Sequence, residues 1–217
     1  MKALIIVDPQ KGFVDSTLKE LPVTGAQEVV SIIASLQTIF ANSRDCDIII
    51  TTDCHPEDHV SFIDNGGDWP SHCIEGTKGH EIIDELAANS FYTVSRKGYR
   101  KDIDAMSAFA DFEGNESELN EYLKSHRVDT VFFAGYATEY CVAFNAIDAV
   151  KRGYQTFVIL DAIAGVAANP NDIEAAMNNM KDAGVIFISS DSDIIPKADR
   201  VPVIPAGRHL ATIGYID

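Results

Sequence analysis

The sequence is poor in the features that mark secreted, redox-active and membrane proteins. Its 217 residues include only four cysteines (Cys46, Cys54, Cys73 and Cys141), and no two of them have CxxC spacing. This excludes a zinc ribbon and a thioredoxin motif, and so few thiols favour a reduced cytoplasmic protein over a disulfide scaffold. No apolar run approaches the length of a transmembrane helix. The amino-terminal residues run directly into the apolar Ala3–Val7, which predicts a first strand rather than a signal peptide.

Positive charge is also scarce. The chain has 17 basic and 33 acidic residues, which gives a net charge of −16. This balance argues against nucleic acid or an anionic membrane as a partner, because both attract excess positive charge. We interpret the acidic surface as a source of solubility. The apolar fraction of 46% is ordinary, and the length suits a single domain over residues 1–217 with a real hydrophobic core.

Six apolar runs of strand length recur along the chain. They are continuous rather than alternating, which is typical of strands buried on both faces of a sheet. The predicted strands are Ala3–Val7, Asp47–Thr51, Phe91–Ser95, Thr130–Ala134, Gln155–Leu160 and Val185–Ser189. Segments of helical periodicity lie between several of them, at Ala26–Phe40, Ser117–Ser125, Val142–Arg152 and Asn171–Ala183. Strands that alternate with helices predict an α/β fold, a Rossmann-like three-layer αβα sandwich around a mainly parallel six-stranded sheet.

Two segments do not follow this alternation. Residues 53–79 are rich in His, Asp, Gly and Pro, and they are too many for an ordinary connection, so we expect a functional loop. Residues 196–217 contain three prolines and no clear period. We expect this irregular tail to wrap over the surface or to reach a neighbouring subunit of a homo-oligomer.

Polar residues follow several of the predicted strands at the point where each strand ends. Asp8 follows the first strand, Asp53 the second, Lys97 the third and Cys141 the fourth. The carboxyl ends of parallel strands lie at one edge of the sheet, so these side chains are expected to converge there. Each residue taken alone has a simpler interpretation: a turn cap for Asp8, a solvated charge for Lys97 and a buried structural thiol for Cys141. Four such residues at equivalent positions favour a site.

The convergent residues suit nucleophilic catalysis. Cys141 opens a helical pattern just past a strand, and helix amino termini favour the thiolate. A carboxylate at Asp8 can take the thiol proton, and the Lys97 ammonium can stabilise the charged pair. Backbone N–H groups in the turn 135–141 are suited to hold a tetrahedral oxyanion. Together these groups predict acyl transfer through a thioester.

Histidines are concentrated in the predicted loop, where four of the six lie between His55 and His80. Asp53 and His55 face the same way on an extended segment, and His72 lies further on. One carboxylate with two or three imidazoles suits a divalent transition metal such as zinc, iron or manganese. The alternative is a polar turn with incidental histidines. Phe13 and Trp69 could wall a small pocket near these elements.

In their order and spacing these segments resemble the nicotinamidase/pyrazinamidase family of the isochorismatase-like cysteine hydrolases. The resemblance extends from about Lys2 to Ser192. The segments that carry it are Leu4–Phe13, Thr52–Phe62, Trp69–Cys73, Arg96–Gly98 and Gly135–Val142. It implies hydrolysis of nicotinamide to nicotinate and ammonia, in NAD salvage, and action on pyrazinamide.

The resemblance also implies roles for individual residues. It implies a catalytic triad. It also implies a cis peptide bond before Ala137 and an oxyanion hole. It implies one divalent metal ion, zinc first and iron or manganese as alternatives, which holds the pyridine nitrogen between aromatic walls. The implied residues are Asp8, Lys97 and Cys141 for the triad; Ala137 and Cys141 for the oxyanion hole; Asp53, His55 and His72 for the metal, with His59 and Asp64 as further candidates; and Phe13, Trp69, Tyr136 and Ala137 for substrate.

Two positions depart from the family pattern. Cys54 stands where an aromatic residue is usual, and Met106 where many members carry a tyrosine. Both lie close to site segments, so they could alter the choice among pyridine carboxamides. Three other functions stay open: a related amidohydrolase acting on another small amide, carbamoyl or ureido substrate; a hydrolase in which a metal ion activates water and Cys141 is incidental; and a non-catalytic binding protein.

Overall fold

A computed structural model of the chain describes residues 1–88, 92–199 and 214–216. Its strands, numbered in chain order, are β1 (Lys2–Val7), β2 (Cys46–Asp53), β3 (Thr93–Lys97), β4 (Thr130–Tyr136), β5 (Gln155–Ala164), β6 (Ile186–Ile188) and β7 (Gly214–Ile216). Its helices are α1 (Lys11–Val14), α2 (Ala26–Ala41), α3 (Asp84–Ala87), α4 (Leu119–Ser125), α5 (Ala143–Lys151) and α6 (Asp172–Ala183).

The strands form one parallel sheet in the order β6-β5-β4-β1-β2-β3-β7. Helices cover both faces, so the predicted α/β sandwich is confirmed. All six predicted strands form, with shifted ends. β3 begins at Thr93, and the first predicted residue of that strand, Phe91, lies outside the described residues. β5 runs on to Ala164 beyond a register shift against β4.

The prediction of an irregular tail over residues 196–217 is wrong for its last residues. Gly214–Ile216 form a seventh strand, which pairs in parallel with Thr93–Ser95 of β3. The strand is held by backbone pairing along the otherwise unpaired edge of β3. Three residues are too few to show a periodic sequence pattern, so the sequence did not predict this strand. The remaining part of the tail, 200–213 and 217, lies outside the described residues.

The hydrophobic core has one layer on each face of the sheet. Along β1, Leu4 and Ile6 pack in the layer that contains α2, whereas Ile5 and Val7 pack in the layer that contains α4 and α5. Because successive side chains of a strand point to opposite faces, a strand buried on both faces needs a continuous apolar run. This arrangement favours apolar side chains within the strands, and the charged residues Asp53 and Lys97 stand at strand ends. Among the described residues, no helix is long and apolar enough to cross a membrane.

The four strands β4, β1, β2 and β3 are neighbours in the sheet. The residues that follow them therefore lie side by side at one edge. That edge is where ligands bind in open α/β sheets.

Candidate active site

Asp8 lies directly after β1 and is fully buried. Its backbone takes a left-handed conformation with φ of 46°, which costs a residue other than glycine roughly 1–3 kcal/mol. Thr51 of β2 holds it from both sides: the Asp8 N–H donates to Thr51 Oγ1 at 3.1 Å, and that hydroxyl donates to Asp8 Oδ1 at 2.5 Å. Burial raises the pKa of Asp8 against the lowering effect of Lys97, so this carboxylate is a stronger base than an ordinary one.

Lys97 connects the groups at this edge. It is the last residue of β3, and its side chain is only 2% exposed. Its Nζ lies 3.1 Å from Asp8 Oδ2 and 3.3 Å from Cys141 Sγ, and it donates to Asp53 Oδ1. Burial lowers the pKa of Lys97, but the charges of Asp53 and Asp8 outweigh burial and raise it well above its ordinary value. Lys97 is therefore a buried ammonium and not a solvated charge.

The turn after β4 brings Cys141 to the same edge. Gly135 has φ of +112°, and a side chain there would collide with the backbone of Val7. The Tyr136–Ala137 peptide bond is cis, as the resemblance implies. The N–H groups of Tyr140 and Val142 then both donate to the Ala137 carbonyl at 3.1 Å.

Cys141 lies in a π-helical turn, Thr138–Val142, and α5 begins only at Ala143. The thiol predicted in the first turn of a helix therefore lies in a wider turn, which is interrupted at Tyr140 and precedes α5. The Cys141 side chain is buried, and burial raises the pKa of the thiol well above its ordinary value against the lowering effect of Lys97. A thiol in this state needs a base, and a carboxylate oxygen of Asp8 lies within 4.8 Å of Cys141 Sγ.

Asp53, His55 and His72 form a buried group whose ligand atoms all lie within 4.8 Å of one another. His55 Nε2 is 3.7 Å from Asp53 Oδ1, and His72 Nε2 is 3.9 Å from Asp53 Oδ2. Burial raises the pKa of Asp53, but Lys97, His55 and His72 outweigh burial and lower it to about 2. Burial lowers the pKa of His55 to about 3, so its imidazole is neutral.

The hydrogen bonds of these histidines fit a metal site. The Nδ1–H of His55 donates to the Gly98 carbonyl at 2.9 Å, and that of His72 donates to the Pro70 carbonyl at 2.7 Å. The neutral His55 therefore presents an unprotonated Nε2 on the side of Asp53, and His72 Nε2 also faces Asp53. Metal-bound histidines typically have this arrangement, in which a carbonyl fixes the tautomer and the ring orientation. Three protein ligands beside a cavity leave a coordination position open, as in catalytic zinc sites.

The two further metal candidates lie in different places. The His59 ring is 4.2 Å from the His55 ring between centroids, but its nitrogens are engaged by Ser61 Oγ at 2.7 Å and the Ile103 carbonyl at 3.3 Å. Asp64 is exposed on a short 3-10 helix, Ile63–Asn65. Within the described part of the chain, neither residue joins the group formed by Asp53, His55 and His72.

A cavity opens between the thiol and the histidines. Several predicted residues line it, namely Phe13, Trp69, Ala137, Cys141, Asp53, His55 and His72. Sequence reasoning missed the other wall residues Leu21, Val23, Ser61, Asp104, Ala105, Tyr140 and Val166, and named Met106 only as a departure from the family. Trp69 packs edge-on against Tyr140 at 4.9 Å between ring centroids. The position of Tyr140 directly before Cys141 was the available signal for it.

The prediction that Tyr136 contacts substrate is not supported by its position. Its side chain is fully buried in the layer that contains α2, and its hydroxyl donates to the Ala26 carbonyl at 2.8 Å. The reason is strand alternation: Tyr136 follows Phe132 and Ala134 on one face of β4, whereas Cys141 packs in the opposite layer. The two other buried cysteines, Cys54 and Cys73, are free and lie outside the metal-type groups of the described residues.

The family of the chain follows from comparison with known proteins. A family model described as the isochorismatase domain matches residues 2–192. The chain belongs to the isochorismatase family. Within this family it is 36% identical to a nicotinamidase of Acinetobacter baylyi, an alignment that covers 89% of this chain and 94% of that protein. The predicted membership among the nicotinamidases of the isochorismatase family is thus confirmed.

Solved structures of isochorismatase-family proteins have the same fold. PnC1 from L. infantum, in complex with nicotinate, superposes with a TM-score of 0.81 at 32% identity, covering 88% of this chain and 93% of that chain. The pyrazinamidase of Pyrococcus horikoshii, in complex with zinc, gives 0.77 at 34% identity, covering 87% and 98%.

Proposed function

We propose that this isochorismatase-family protein is a nicotinamidase, an amidohydrolase that converts nicotinamide and water to nicotinate and ammonia. One observation carries the proposal. A buried ammonium contacts both a buried thiol and a buried carboxylate, and the same cavity that exposes the thiol is lined by a histidine and carboxylate group of metal-ligand type. Amide hydrolysis through a cysteine thioester does not itself require a metal. The histidine and carboxylate group therefore indicates a substrate with an atom that binds a metal ion.

The contacts of Lys97 with Asp8 and Cys141, together with the family resemblance, support the following catalytic roles. Asp8 accepts the proton of the Cys141 thiol, and Sγ attacks the carboxamide carbon. The N–H groups of Ala137 and Cys141 stabilise the oxyanion, while Lys97 stabilises the ionised pair. The C–N bond then breaks, and ammonia leaves with the proton from Asp8. Water attacks the thioester and gives its proton to Asp8. Cleavage of the C–S bond releases nicotinate, and the proton returns to Sγ.

Asp53, His55 and His72 would hold one divalent ion, with zinc the first candidate and iron or manganese the alternatives. Such an ion would supply a Lewis-acid position for the pyridine nitrogen. Phe13 and Trp69 would hold the ring from its sides, as apolar walls do for small planar ligands. We expect pyrazinamide to be a substrate by the same argument, since its ring carries a nitrogen in place of one carbon of nicotinamide. NAD salvage is the cellular process that this reaction serves.

The cellular setting follows from the thiols. No disulfide joins the four cysteines within the described residues, and three of these cysteines are buried, which suits a reducing compartment. We therefore place the protein in the cytoplasm, and the irregular composition of residues 196–217 is our ground for proposing a homo-oligomer.

The decisive experiment measures ammonia release from nicotinamide and pyrazinamide by the wild type and by Cys141→Ala. We expect Cys141→Ala to have no measurable turnover and an unchanged metal content by elemental analysis. Cys46→Ala is the matched control, because Cys46 begins β2 at the opposite end of the strand, and it should keep full activity. Substantial nicotinamide hydrolysis by Cys141→Ala would refute the mechanism. Wild-type activity on carbamoyl or ureido compounds and none on nicotinamide would favour the related amidohydrolase instead.

A further inference from the structure

Asn145 is a fully buried amide on α5, one helical turn after Cys141. Its Nδ2 donates to the Cys141 carbonyl at 2.8 Å and to the Met106 carbonyl at 3.4 Å. Its Oδ1 accepts from the Ala108 N–H at 2.9 Å. A single side chain thus uses three of the hydrogen bonds that an amide can make.

These three backbone groups belong to two separate segments of the active site. One is the turn that carries Cys141. The other is residues 106–108, whose Met106 side chain lines the cavity and places its Sδ 4.0 Å from Cys141 Sγ. Asn145 therefore joins the nucleophile to the wall that faces it, although Asn145 itself does not line the cavity.

A small apolar residue would be the simpler choice at this buried position, because Ala143, Ala146 and Ala149 of the same helix all pack in the core. A buried amide is costly unless its hydrogen bonds are made, and a satisfied one fixes its partners in a defined arrangement. The segment 106–108 is not part of a helix or strand, so its position depends on such contacts.

We propose that Asn145 is a positioning residue that sets the spacing between the Cys141 nucleophile and the Met106 wall of the substrate cavity. The kinetic part of this inference rests on the proposed amidase function. The bond to Cys141 orients the nucleophile and supports kcat. The bonds to Met106 and Ala108 hold the wall against the ring and support KM.

Two substitutions separate the effect of the bond to Cys141 from the effect of the bonds to residues 106–108. Asn145→Ala removes every bond. Asn145→Thr restores one of them, because a threonine hydroxyl in a helix bonds to the carbonyl four residues earlier, which is that of Cys141. Threonine is too short to reach the segment 106–108 as well.

For Asn145→Ala we expect kcat to fall and KM to rise by about tenfold each, the usual effect of losing buried hydrogen bonds in a site. Asn145→Thr should recover kcat to within about threefold of the wild type and keep the raised KM. Gln37→Ala is the matched control, since it removes a buried amide that donates to the Leu86 carbonyl at 3.3 Å in the opposite layer. It should lower Tm and leave kcat and KM unchanged.

A second measurement does not depend on the substrate. The alkylation rate of Cys141 by iodoacetamide, read by peptide mass spectrometry with Cys46 as the internal standard, should change in Asn145→Ala and return in Asn145→Thr. If the wild type fails to hydrolyse nicotinamide, the proposed function fails and this rate still decides the role of Asn145. The inference is overturned if Asn145→Ala lowers Tm but leaves kcat, KM and the alkylation rate like those of Gln37→Ala. It is also overturned if Asn145→Thr recovers kcat and KM together, or neither.

Discussion

Asp53 and Lys97 are the last residues of two neighbouring strands, paired in register, with their side chains in direct contact in the interior. This pair joins the two halves of the site. Lys97 reaches on to Asp8 and Cys141, whereas Asp53 faces His55 and His72. A substitution of either residue therefore changes the electrostatic surroundings of both the thiol and the histidine group.

Removal of the buried ammonium should cost both stability and activity. Lys97→Met leaves the carboxylates of Asp8 and Asp53 without their shared cation, and breaking a buried charge pair in this way costs about 3–5 kcal/mol. We expect the urea midpoint to fall accordingly and turnover to be lost. The double variant Lys97→Met/Asp8→Asn should recover part of the stability and none of the activity. Equal stability of the single variant and the wild type would contradict the charge network.

The hydroxyl of Thr51 should control the basicity of Asp8. Its donation to Oδ1 lowers the pKa of Asp8, which burial raises, so Thr51→Val should raise that pKa further. The base is the ionised form, and activity is lost as pH falls through its pKa. The acidic limb of the kcat/KM profile should therefore move to higher pH, with a stability loss of about 1–2 kcal/mol.

Thr52 supplies the matched control for that experiment. It is buried next to Thr51, but its Oγ1 has no hydrogen-bond partner among the residues that the structure describes. Thr52→Val should therefore be neutral or stabilising and should leave the pH profile in place. An equal shift of the acidic limb in both variants would refute the assignment to Thr51.

Metal retention should distinguish the neighbouring histidines. After dialysis against a weak chelator, His72→Ala should lose bound metal, since a ligand atom is removed. His59→Gln should retain metal, because the His59 nitrogens are engaged by Ser61 and Ile103. His126→Ala, at a partly exposed ion pair with Asp47, serves as the remote control. Metal loss in His59→Gln equal to that in His72→Ala would place His59 among the direct ligands.

Gly98 should be essential for the position of His55. It has φ of +66°, and a Cβ there would lie 2.7 Å from His55 Nδ1, which donates to the Gly98 carbonyl. We expect Gly98→Ala to weaken metal affinity about 10–100-fold, as loss of an outer-sphere partner does. Gly114 also has positive φ, of +81°, but open space around its Cα, so Gly114→Ala should cost only about 1 kcal/mol and leave metal affinity unchanged. A similar metal loss in both variants, measured by competition with a chromophoric chelator, would exclude the steric explanation.

The local pattern of the chain was enough to predict the sheet and the residues at its edge. Continuous apolar runs marked six strands, and the polar residues Asp8, Asp53 and Lys97 stood where those runs stopped. The physical reason is that a strand buried on both faces disfavours charged side chains in its interior, so they concentrate near its ends. The seventh strand, Gly214–Ile216, was not predicted, because a strand of three residues can pair without any periodic sequence pattern.

The walls of the cavity were predicted only in part. Phe13 and Trp69 line it as expected, but Tyr136 packs into the opposite layer, and Tyr140 takes a place in the wall. The alternation of side chains along β4 was the available sign for Tyr136. No short pattern could have shown that Asn145 reaches residues 106–108, because that contact joins segments distant in sequence.

By itself, then, the sequence determined which residues end the strands and that a thiol, two carboxylates, a lysine and histidines would share one edge, since strand burial and side-chain alternation are local properties. Only the tertiary structure decided which of them touch. The order β4-β1-β2-β3 brings Lys97 within 3.3 Å of Cys141, and the helix register of α5 directs Asn145 to the opposing wall. Those distances depend on how strands and helices pack across the whole chain, and no segment of it encodes them alone.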